Sequence, residues 1–177
     1  MANGSETAGC VHVYTGDGKG KTTAAIGLAV RAAGAGWKVF IAQFAKATIS
    51  SEMTAFERFA DRITIRHYGQ KGFVRQEPRQ DDLDSAHRGL AECAAAISSG
   101  EYSLVILDEA NIAALLQLLT VDDLIALIDS RPAGVELVLT GRGAHPRVLE
   151  RADLVTEMRE VKHYYRQGMM ARTGIER

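Results

Sequence analysis

Residues 11–22 read Val-His-Val-Tyr-Thr-Gly-Asp-Gly-Lys-Gly-Lys-Thr, a short β-prone run followed at once by a glycine-rich loop. Glycines allow consecutive backbone N–H groups to turn toward one point, and a helix that starts directly after the loop aims the positive end of its dipole there. Lys21 adds a mobile ammonium group, and the Thr22 hydroxyl can reach a magnesium ion carried by phosphates. The stretch therefore predicts a strand, a phosphate loop and a helix that bind a nucleoside triphosphate with magnesium.

The loop is a variant of the usual phosphate-loop pattern. The strict pattern places a glycine five residues before Gly20, where this chain has Thr15, and the nearest glycine is Gly16. The alternative interpretation is an ordinary glycine turn between a strand and a helix. The context favours the phosphate loop, because an apolar strand precedes it and the alanine-rich stretch 23–33 that follows ends near two glycines.

A second motif lies at residues 104–109, where four apolar residues are followed by Asp108 and Glu109. Such a run is typical of a central parallel strand that is buried on both faces. Acids at the carboxyl end of that strand lie in the crevice where open α/β sheets bind ligands, so we expect one of them to hold magnesium opposite Thr22. The alternative makes Asp108 the cap of a helix with Glu109 in its first turn.

The composition indicates one domain with a full core, since the chain has 177 residues of which 46% are hydrophobic. Its net charge of −1 gives no electrostatic case for a nucleic-acid or membrane-surface partner. We expect a flexible tail over residues 1–10 and a single domain over 11–177. We also expect a cytoplasmic protein, because no stretch has the apolar length of a membrane span or a signal peptide. Cys10 and Cys93 do not indicate a disulfide framework.

Strand and helix patterns alternate along the chain. Strands are expected near residues 10–15, 37–44, 62–68, 102–107, 135–140 and 153–157, and helices near 22–34, 52–60, 80–99, 110–117, 120–130 and 145–152. Thr120 followed by Asp123 resembles a helix capping box with Asp in place of Glu. Alternation of this kind predicts an α/β fold with a mostly parallel sheet covered by helices. The longest irregular stretches are 45–52 and 69–80, and long loops at a ligand edge are usually functional.

A series of short motifs runs along almost the whole chain. The motifs are the loop 14–23, the helix 24–36, Gln43-Phe44 with Lys46, Gly72-Phe73, the strand and acids 104–109, Arg131-Pro132, and the stretches 139–142, 152–159, 161–163 and 174–176. Together they resemble the P-loop class of cob(I)alamin adenosyltransferases, also called corrinoid adenosyltransferases. The resemblance covers residues 12–176.

The resemblance implies a single P-loop NTPase-like, RecA-like domain that forms a homodimer. It also implies transfer of the 5′-deoxyadenosyl group of ATP to the cobalt of reduced cobalamin or another corrinoid, with release of triphosphate, in adenosylcobalamin formation. A reductase would supply electrons to cobalt, and the nucleotide would lie reversed in the loop. Cob(I)alamin is a strong nucleophile, so no general base is required, and the protein must align the reactants and stabilise the departing triphosphate.

The loop chemistry and the resemblance assign residues to these tasks. The residues expected to bind ATP are Gly16, Asp17, Gly18, Lys19, Gly20, Lys21, Thr22, Thr23 and Arg142. Lys19 and Lys21 are expected to offset charge on the leaving group, and Thr22 to hold magnesium with Glu109, which the motif match favours over Asp108. Arg142 has an alternative as an ordinary surface arginine, and a hydrogen-bonding role for His163 is favoured over axial ligation of cobalt.

One departure from the family falls in the 69–80 stretch. Better-known members have a tryptophan two positions after the residue that matches Phe73, and this chain has Arg75 there. The resemblance implies that both positions face the corrinoid, although Arg75 does not preserve the aromatic function. The alternative for Phe73 is an anchor that holds the loop to the core.

Two other functions use the same loop. One is a conventional P-loop ATPase or small-molecule kinase, and the other is a non-catalytic regulator that binds a nucleotide or a corrinoid. Analysis of the products separates them, because adenosyl transfer releases intact triphosphate, phosphoryl transfer releases ADP or phosphate, and a regulator shows no turnover.

Overall fold

The computed structural model describes residues 8–45, 51–69 and 78–176. Its strands are β1 Val11–Thr15, β2 Val39–Phe44, β3 Ile63–Tyr68, β4 Leu104–Asp108, β5 Glu136–Thr140 and β6 Leu154–Glu157. Its helices are α1 Lys21–Gly34, α2 Ser51–Phe56, α3 Gln80–Ser98, α4 Ala110–Leu115, α5 Val121–Asp129 and α6 Pro146–Leu149, and short 3₁₀ turns cover Glu57–Phe59 and Tyr164–Gln167. Within these ranges no helix combines the length and the apolar character needed to cross a membrane.

The six strands form one parallel sheet in the order β3-β2-β4-β5-β1-β6. The strand that leads into the phosphate loop, β1, therefore lies between β5 and β6, and β4 lies on the other side of β5. Because all strands run in one direction, the loop after β1 and the acids at the end of β4 reach the same edge of the sheet. The predicted α/β fold with a parallel sheet is confirmed.

Two apolar clusters cover the two faces of the sheet. On one face, α3 and α5 pack on strand residues such as Phe40, Leu107 and Leu139. On the other face, the alanines of α1 pack on residues such as Ile41 and Ile106. Side chains of a strand point alternately to its two faces, so burial on both sides explains why 104–107 is apolar without interruption. Truncating one of these side chains to alanine costs about 2–5 kcal/mol of stability.

The predicted elements lie close to the observed ones, with differences at their ends. The capping box of α5 is confirmed, since Thr120 Oγ1 accepts a hydrogen bond from Asp123 N and Thr120 N donates to the Asp123 carboxylate. The predicted helix over 145–152 is wrong in length, because α6 covers four residues, and the 3₁₀ turn at 164–167 was not predicted. Both are single short turns, which lack the apolar periodicity by which helices are recognised.

At the amino terminus, residues 1–7 of the expected tail lie outside the described residues. The last two residues of the expected tail are held by Ala133, in the connection before β5, and by Glu136, the first residue of β5. Gly9 N donates to Ala133 O at 2.6 Å, and Cys10 N donates to Glu136 Oε2 at 2.9 Å. The other cysteine, Cys93, is fully buried in α3, and both thiols are free.

Candidate functional site

The loop between β1 and α1 depends on its glycines in two ways. Gly16 and Gly20 have φ angles of 93° and 122°, which side-chain-bearing residues rarely adopt. A Cβ atom on Gly16 or Gly18 would also lie 2.5 or 2.7 Å from Met158 O, a backbone atom beyond β6. The loop therefore turns tightly and lies directly against the chain that follows the last strand.

Lys21 lies at the start of α1 and its ammonium group spans the loop. The residue is 7% exposed, and Nζ donates hydrogen bonds to Gly16 O and Gly18 O, each at 2.7 Å. Burial lowers the pKa of Lys21, and the nearby Arg142 lowers it further, while Glu109 and the other neighbouring acids oppose the shift. A poorly solvated cation within a phosphate loop is a strong partner for an anion.

Asp108 joins three elements at the carboxyl edge of the sheet. The residue is 1% exposed. Its Oδ1 accepts hydrogen bonds from Thr22 Oγ1 at 2.8 Å and Thr140 Oγ1 at 2.7 Å, and its Oδ2 accepts one from Gln43 Nε2 at 2.9 Å. The start of α1 and the ends of β2 and β5 are thus tied to the end of β4. The helix-cap interpretation of Asp108 is wrong, because β4 continues through this residue.

Glu109 follows directly and is oriented differently. It is the residue before α4, with a left-handed backbone (φ 62°) and no capping hydrogen bond from its side chain. Its N–H donates to Thr140 Oγ1 at 2.9 Å. This backbone conformation costs a non-glycine residue roughly 1–2 kcal/mol, and strain of this kind is often found at functional sites.

A cavity of about 290 Å³ lies beside the loop. The predicted residues that line it are Gly18, Lys19, Gly20, Lys21, Thr22, Thr23, Glu109 and Arg142. Asp17 and Arg142 line a second, more polar cavity of about 510 Å³ on the other side of Arg142. Phe73 and Arg75, the predicted corrinoid-facing residues, lie outside the described residues.

The far wall of the 290 Å³ cavity, opposite the phosphate loop, was not predicted. It comes from α2 and from the chain beyond β6, and consists of Glu52, His163, Ile175 and Glu176. Lys19 points to this wall, with its Nζ 2.7 Å from Ile175 O and 3.4 Å from Glu176 Oε1. Residues 174–176 belong to the family motifs, but no spacing rule predicts a contact across more than 150 positions, so their place at this cavity was not predicted.

His163 contributes to this wall through a local hydrogen bond. Its Nδ1 accepts from Tyr165 N at 3.1 Å, which caps the 3₁₀ turn, and its ring lies 4.7 Å from that of Tyr164. These contacts agree with the hydrogen-bonding role favoured for this histidine.

The donor set at the edge of the sheet suits a magnesium ion that arrives with a nucleotide. Across the described ranges no group of three or more His, Cys, Asp or Glu side chains can hold a metal by itself. Magnesium on a nucleotide needs only one or two protein ligands beside phosphate oxygens and water. Thr22, Asp108 and Glu109 supply such oxygens. Next to them, buried Gln43 Oε1 has no hydrogen-bond partner within the described residues, so bound water or ligand can supply its donor.

Comparisons with known proteins identify similarity over nearly the full chain. The family model described as ATP:corrinoid adenosyltransferase BtuR/CobO/CobP matches residues 7–177. The chain is 37% identical over 177 residues to the corrinoid adenosyltransferase of Pseudomonas aeruginosa, covering 99% of this chain and 87% of that protein. It is 32% identical to the corrinoid adenosyltransferase of Escherichia coli K12 and to corrinoid adenosyltransferase CobA of Salmonella typhimurium, with 99% of this chain and 89% of each relative covered. The similarity extends over the phosphate loop and over the chain beyond β6.

Proposed function

The chain belongs to the ATP:corrinoid adenosyltransferase family and is an enzyme that adenosylates corrinoids with ATP; we propose that its phosphate loop, residues 16–22, holds the triphosphate during the transfer. The observation that supports this assignment is the buried ammonium of Lys21, which lies within the loop beside a cavity lined by Thr22 and Glu109. No observation favours a conventional ATPase, a kinase or a regulator.

The reaction exchanges one bond for another at the 5′ carbon of ATP. The cobalt of the reduced corrinoid supplies an electron pair and forms the cobalt–carbon bond, while the bond from the 5′ carbon to the triphosphate oxygen breaks and its electrons leave with triphosphate. Because the nucleophile is already strong, the protein contributes alignment and stabilisation of the leaving group. The 5′ carbon must then face the corrinoid while the triphosphate stays among the loop donors, which agrees with the reversed nucleotide of the family.

Lys21 is the residue we assign to the charge on the triphosphate. Its ammonium donates hydrogen bonds to two neutral carbonyl groups, Gly16 O and Gly18 O. Charge-assisted hydrogen bonds to phosphate oxygens are roughly twice as strong as neutral ones, so triphosphate is the better partner. The developing negative charge of the leaving group strengthens this contact as the bond breaks, which is the condition for lowering the barrier.

We propose that Thr22 and Glu109 hold magnesium and that Asp108 orients Thr22. A bound magnesium ion would neutralise part of the charge of the triphosphate. Asp108 already accepts three hydrogen bonds and is almost completely buried, whereas Glu109 lines the cavity. Because of this difference, we assign magnesium binding to Glu109 and the orientation of Thr22 to Asp108.

The corrinoid side of the site is proposed from the family resemblance. Phe73 and Arg75 are assigned to it, with Phe73 excluding the lower axial ligand of cobalt. We also propose a homodimer, a cytoplasmic location and a reductase that delivers electrons to cobalt. These properties are consistent with the chain's near-neutral charge and with the motifs it shares with the family.

The decisive experiment combines chemically pre-reduced cob(I)alamin with ATP and magnesium. We expect the absorbance change of cobalt–carbon bond formation and an equal amount of intact triphosphate, detected by anion-exchange chromatography. ADP or phosphate without adenosylated corrinoid would identify a conventional ATPase or kinase. Binding of ATP without any product would identify a regulator.

A further inference from the structure

The chain beyond β6, residues 158–176, returns across the phosphate loop, and we call it the terminal segment. Met158 N donates to Thr15 O at 2.8 Å, and Gly18 N donates to Met158 O at 2.6 Å. One amide of the loop is therefore already bonded to the terminal segment. From this joint the segment continues to Ile175 and Glu176, which close the far wall of the cavity.

Glu176 is fixed by several donors within the terminal segment. Its Oε2 accepts from Arg172 N at 2.7 Å and Arg172 Nε at 3.3 Å, and its Oε1 accepts from Arg172 Nη2 at 3.1 Å and from Tyr164 OH. The Arg172 guanidinium also lies over the Tyr164 ring, 5.0 Å from its centroid. These donors, Arg172 first, hold the pKa of Glu176 below its usual range, so the carboxylate remains charged. The position of the Glu176 carboxylate is therefore set by Arg172 and Tyr164, and not by Lys19.

Lys19 is the loop residue that meets this fixed group. Its side chain is 41% exposed, yet its ammonium is held by Ile175 O and lies within salt-bridge distance of Glu176. A free lysine side chain samples many rotamers, and ordering it opposes binding. When both acceptors are held in place by the terminal segment, the ammonium is ordered at the cavity before any ligand arrives.

We infer that Glu176 is a positioning residue for the reaction, acting through Lys19. Together with the Ile175 carbonyl, it holds the Lys19 ammonium at the mouth of the phosphate loop, where the triphosphate of ATP meets a cation already in place. The oxygens of Glu176 accept hydrogen bonds from Arg172, Tyr164 and Lys19, so the role we assign to it acts through Lys19 and not through a contact with substrate. The inference rests on the proposed function of the loop as the triphosphate site.

The test is a double-mutant cycle between Glu176→Gln and Lys19→Met, read as kcat/KM for ATP with pre-reduced cob(I)alamin and as the Kd for MgATP by calorimetry. Immobilising a flexible side chain corresponds to about a threefold to tenfold change in affinity. We expect Glu176→Gln to lower kcat/KM and weaken ATP binding by that factor in the otherwise native enzyme. In the Lys19→Met background it should have no further effect, because the group it positions is gone.

The control is Glu101→Gln, an exposed acid that pairs with Lys38 at 2.9 Å and lines neither of the two cavities beside the loop. It should leave kcat/KM unchanged. Tyr164→Phe removes one donor to Glu176 without altering charge, so it should give a smaller loss that also vanishes in the Lys19→Met background. This second variant keeps the test valid if Glu176→Gln is poorly folded.

Three results would overturn the inference. Equal losses in both backgrounds would give Glu176 a purely structural role. Tighter ATP binding in Glu176→Gln would make Glu176 a competitor for Lys19. A loss no larger than that of Glu101→Gln would show that the contact between Glu176 and Lys19 does not matter for the reaction. Failure of the proposed function is distinguished by the unmutated enzyme. If that enzyme binds ATP but does not adenosylate cobalt, the function fails while the Kd values still test the role of Glu176.

Discussion

The phosphate loop and the terminal segment form opposite walls of one cavity, but they are built in different ways. The loop, residues 16–22, is fixed locally between β1 and α1 by glycine conformations and by the buried ammonium of Lys21. The terminal segment has a 3₁₀ turn and is largely exposed, with Val161 at 95%. Hydrogen bonds attach it to the loop, and the cation–π contact of Arg172 with Tyr164 lies within the segment itself. A short motif in the sequence thus encodes one wall, while contacts between distant positions encode the other.

This difference predicts how the two walls respond to change. Each hydrogen bond of the terminal segment contributes about 0.5–1.5 kcal/mol, and exposed segments can open without global unfolding. The loop connects β1, which pairs with β5 and β6, to α1, so its geometry is supported by the core of the domain. We expect substitutions in the loop to abolish adenosyl transfer, and substitutions in the terminal segment to lower its rate only in part.

The largest expected effect is that of Lys21→Ala. Loss of one charge-assisted donor in a water-poor site costs on the order of a hundredfold or more in rate, so kcat/KM for ATP should fall by at least that factor. Circular dichroism and the melting temperature should change little, because the core does not depend on this side chain. Lys38→Ala, which removes a surface pair with Glu101, is the control and should retain activity. An active Lys21→Ala enzyme would show that the loop does not hold the leaving group.

The next largest effect distinguishes the roles of Asp108 and Glu109. Glu109→Gln should raise the magnesium concentration needed for half-maximal activity by about tenfold or more, because even residues that only support metal ligands contribute roughly tenfold to hundredfold to metal affinity. Stability should change little. Asp108→Asn should chiefly destabilise the protein, by about 1–3 kcal/mol, because it disturbs a buried acceptor of three hydrogen bonds. Magnesium titrations and urea unfolding measure the two properties. The opposite pattern would transfer the metal role to Asp108.

How far the sequence predicts this molecule depends on the range of the interactions involved. The sheet, the loop and the acids after β4 follow from local rules, because apolar periodicity and glycine spacing act within a few residues. The triple acceptor role of Asp108 needed the structure, since Gln43 and Thr140 reach it from other strands. The terminal segment lacks periodicity and its hydrogen bonds to the phosphate loop span 140 positions or more, so only the fold shows that it borders the site.

A smaller effect is expected where the two walls touch. Gly18→Ala places a methyl group 2.7 Å from Met158 O, and the φ angle of Gly18 is not in the left-handed region, so the clash with the terminal segment is the sole penalty. Overpacking of this kind costs about 1–3 kcal/mol, and we expect up to about a tenfold loss of ATP affinity. The control is Gly27→Ala in α1, where an added Cβ meets no atom of the described residues within 4 Å beyond its own stretch of helix. This change should stabilise the protein by about 0.5–1 kcal/mol. If Gly18→Ala and Gly27→Ala had the same stability and the same ATP affinity, the loop and the terminal segment would be independent of each other.

The smallest effect is a difference in how the two walls respond to pH. Burial, then Arg142, lowers the pKa of Lys21 below 10.5, so ligand-free protein loses this charge at a lower pH than an exposed lysine does. ATP affinity, measured by calorimetry, should therefore begin to decline as pH rises toward 10, by a few-fold. Lys21→Arg should remove the decline, because a guanidinium stays protonated throughout this range. A decline that persists in Lys21→Arg would have another source.

The terminal segment should respond at the opposite end of the pH scale. The pKa of Glu176 is lowered by the donors of Arg172 and Tyr164. A carboxyl with a depressed folded pKa contributes stability that is fully present above its unfolded pKa, about 4.3, and is lost as pH falls through the folded value. Between pH 5 and 8 the contact of Glu176 with Lys19 should therefore be constant. If ATP affinity changed with pH in that interval and the change disappeared in Glu176→Gln, this expectation would be contradicted. A difference in affinity between the two proteins that stays constant with pH would support it. The terminal segment would then carry a carboxylate that stays charged over this interval, beside a loop in which Lys21 loses its charge at high pH.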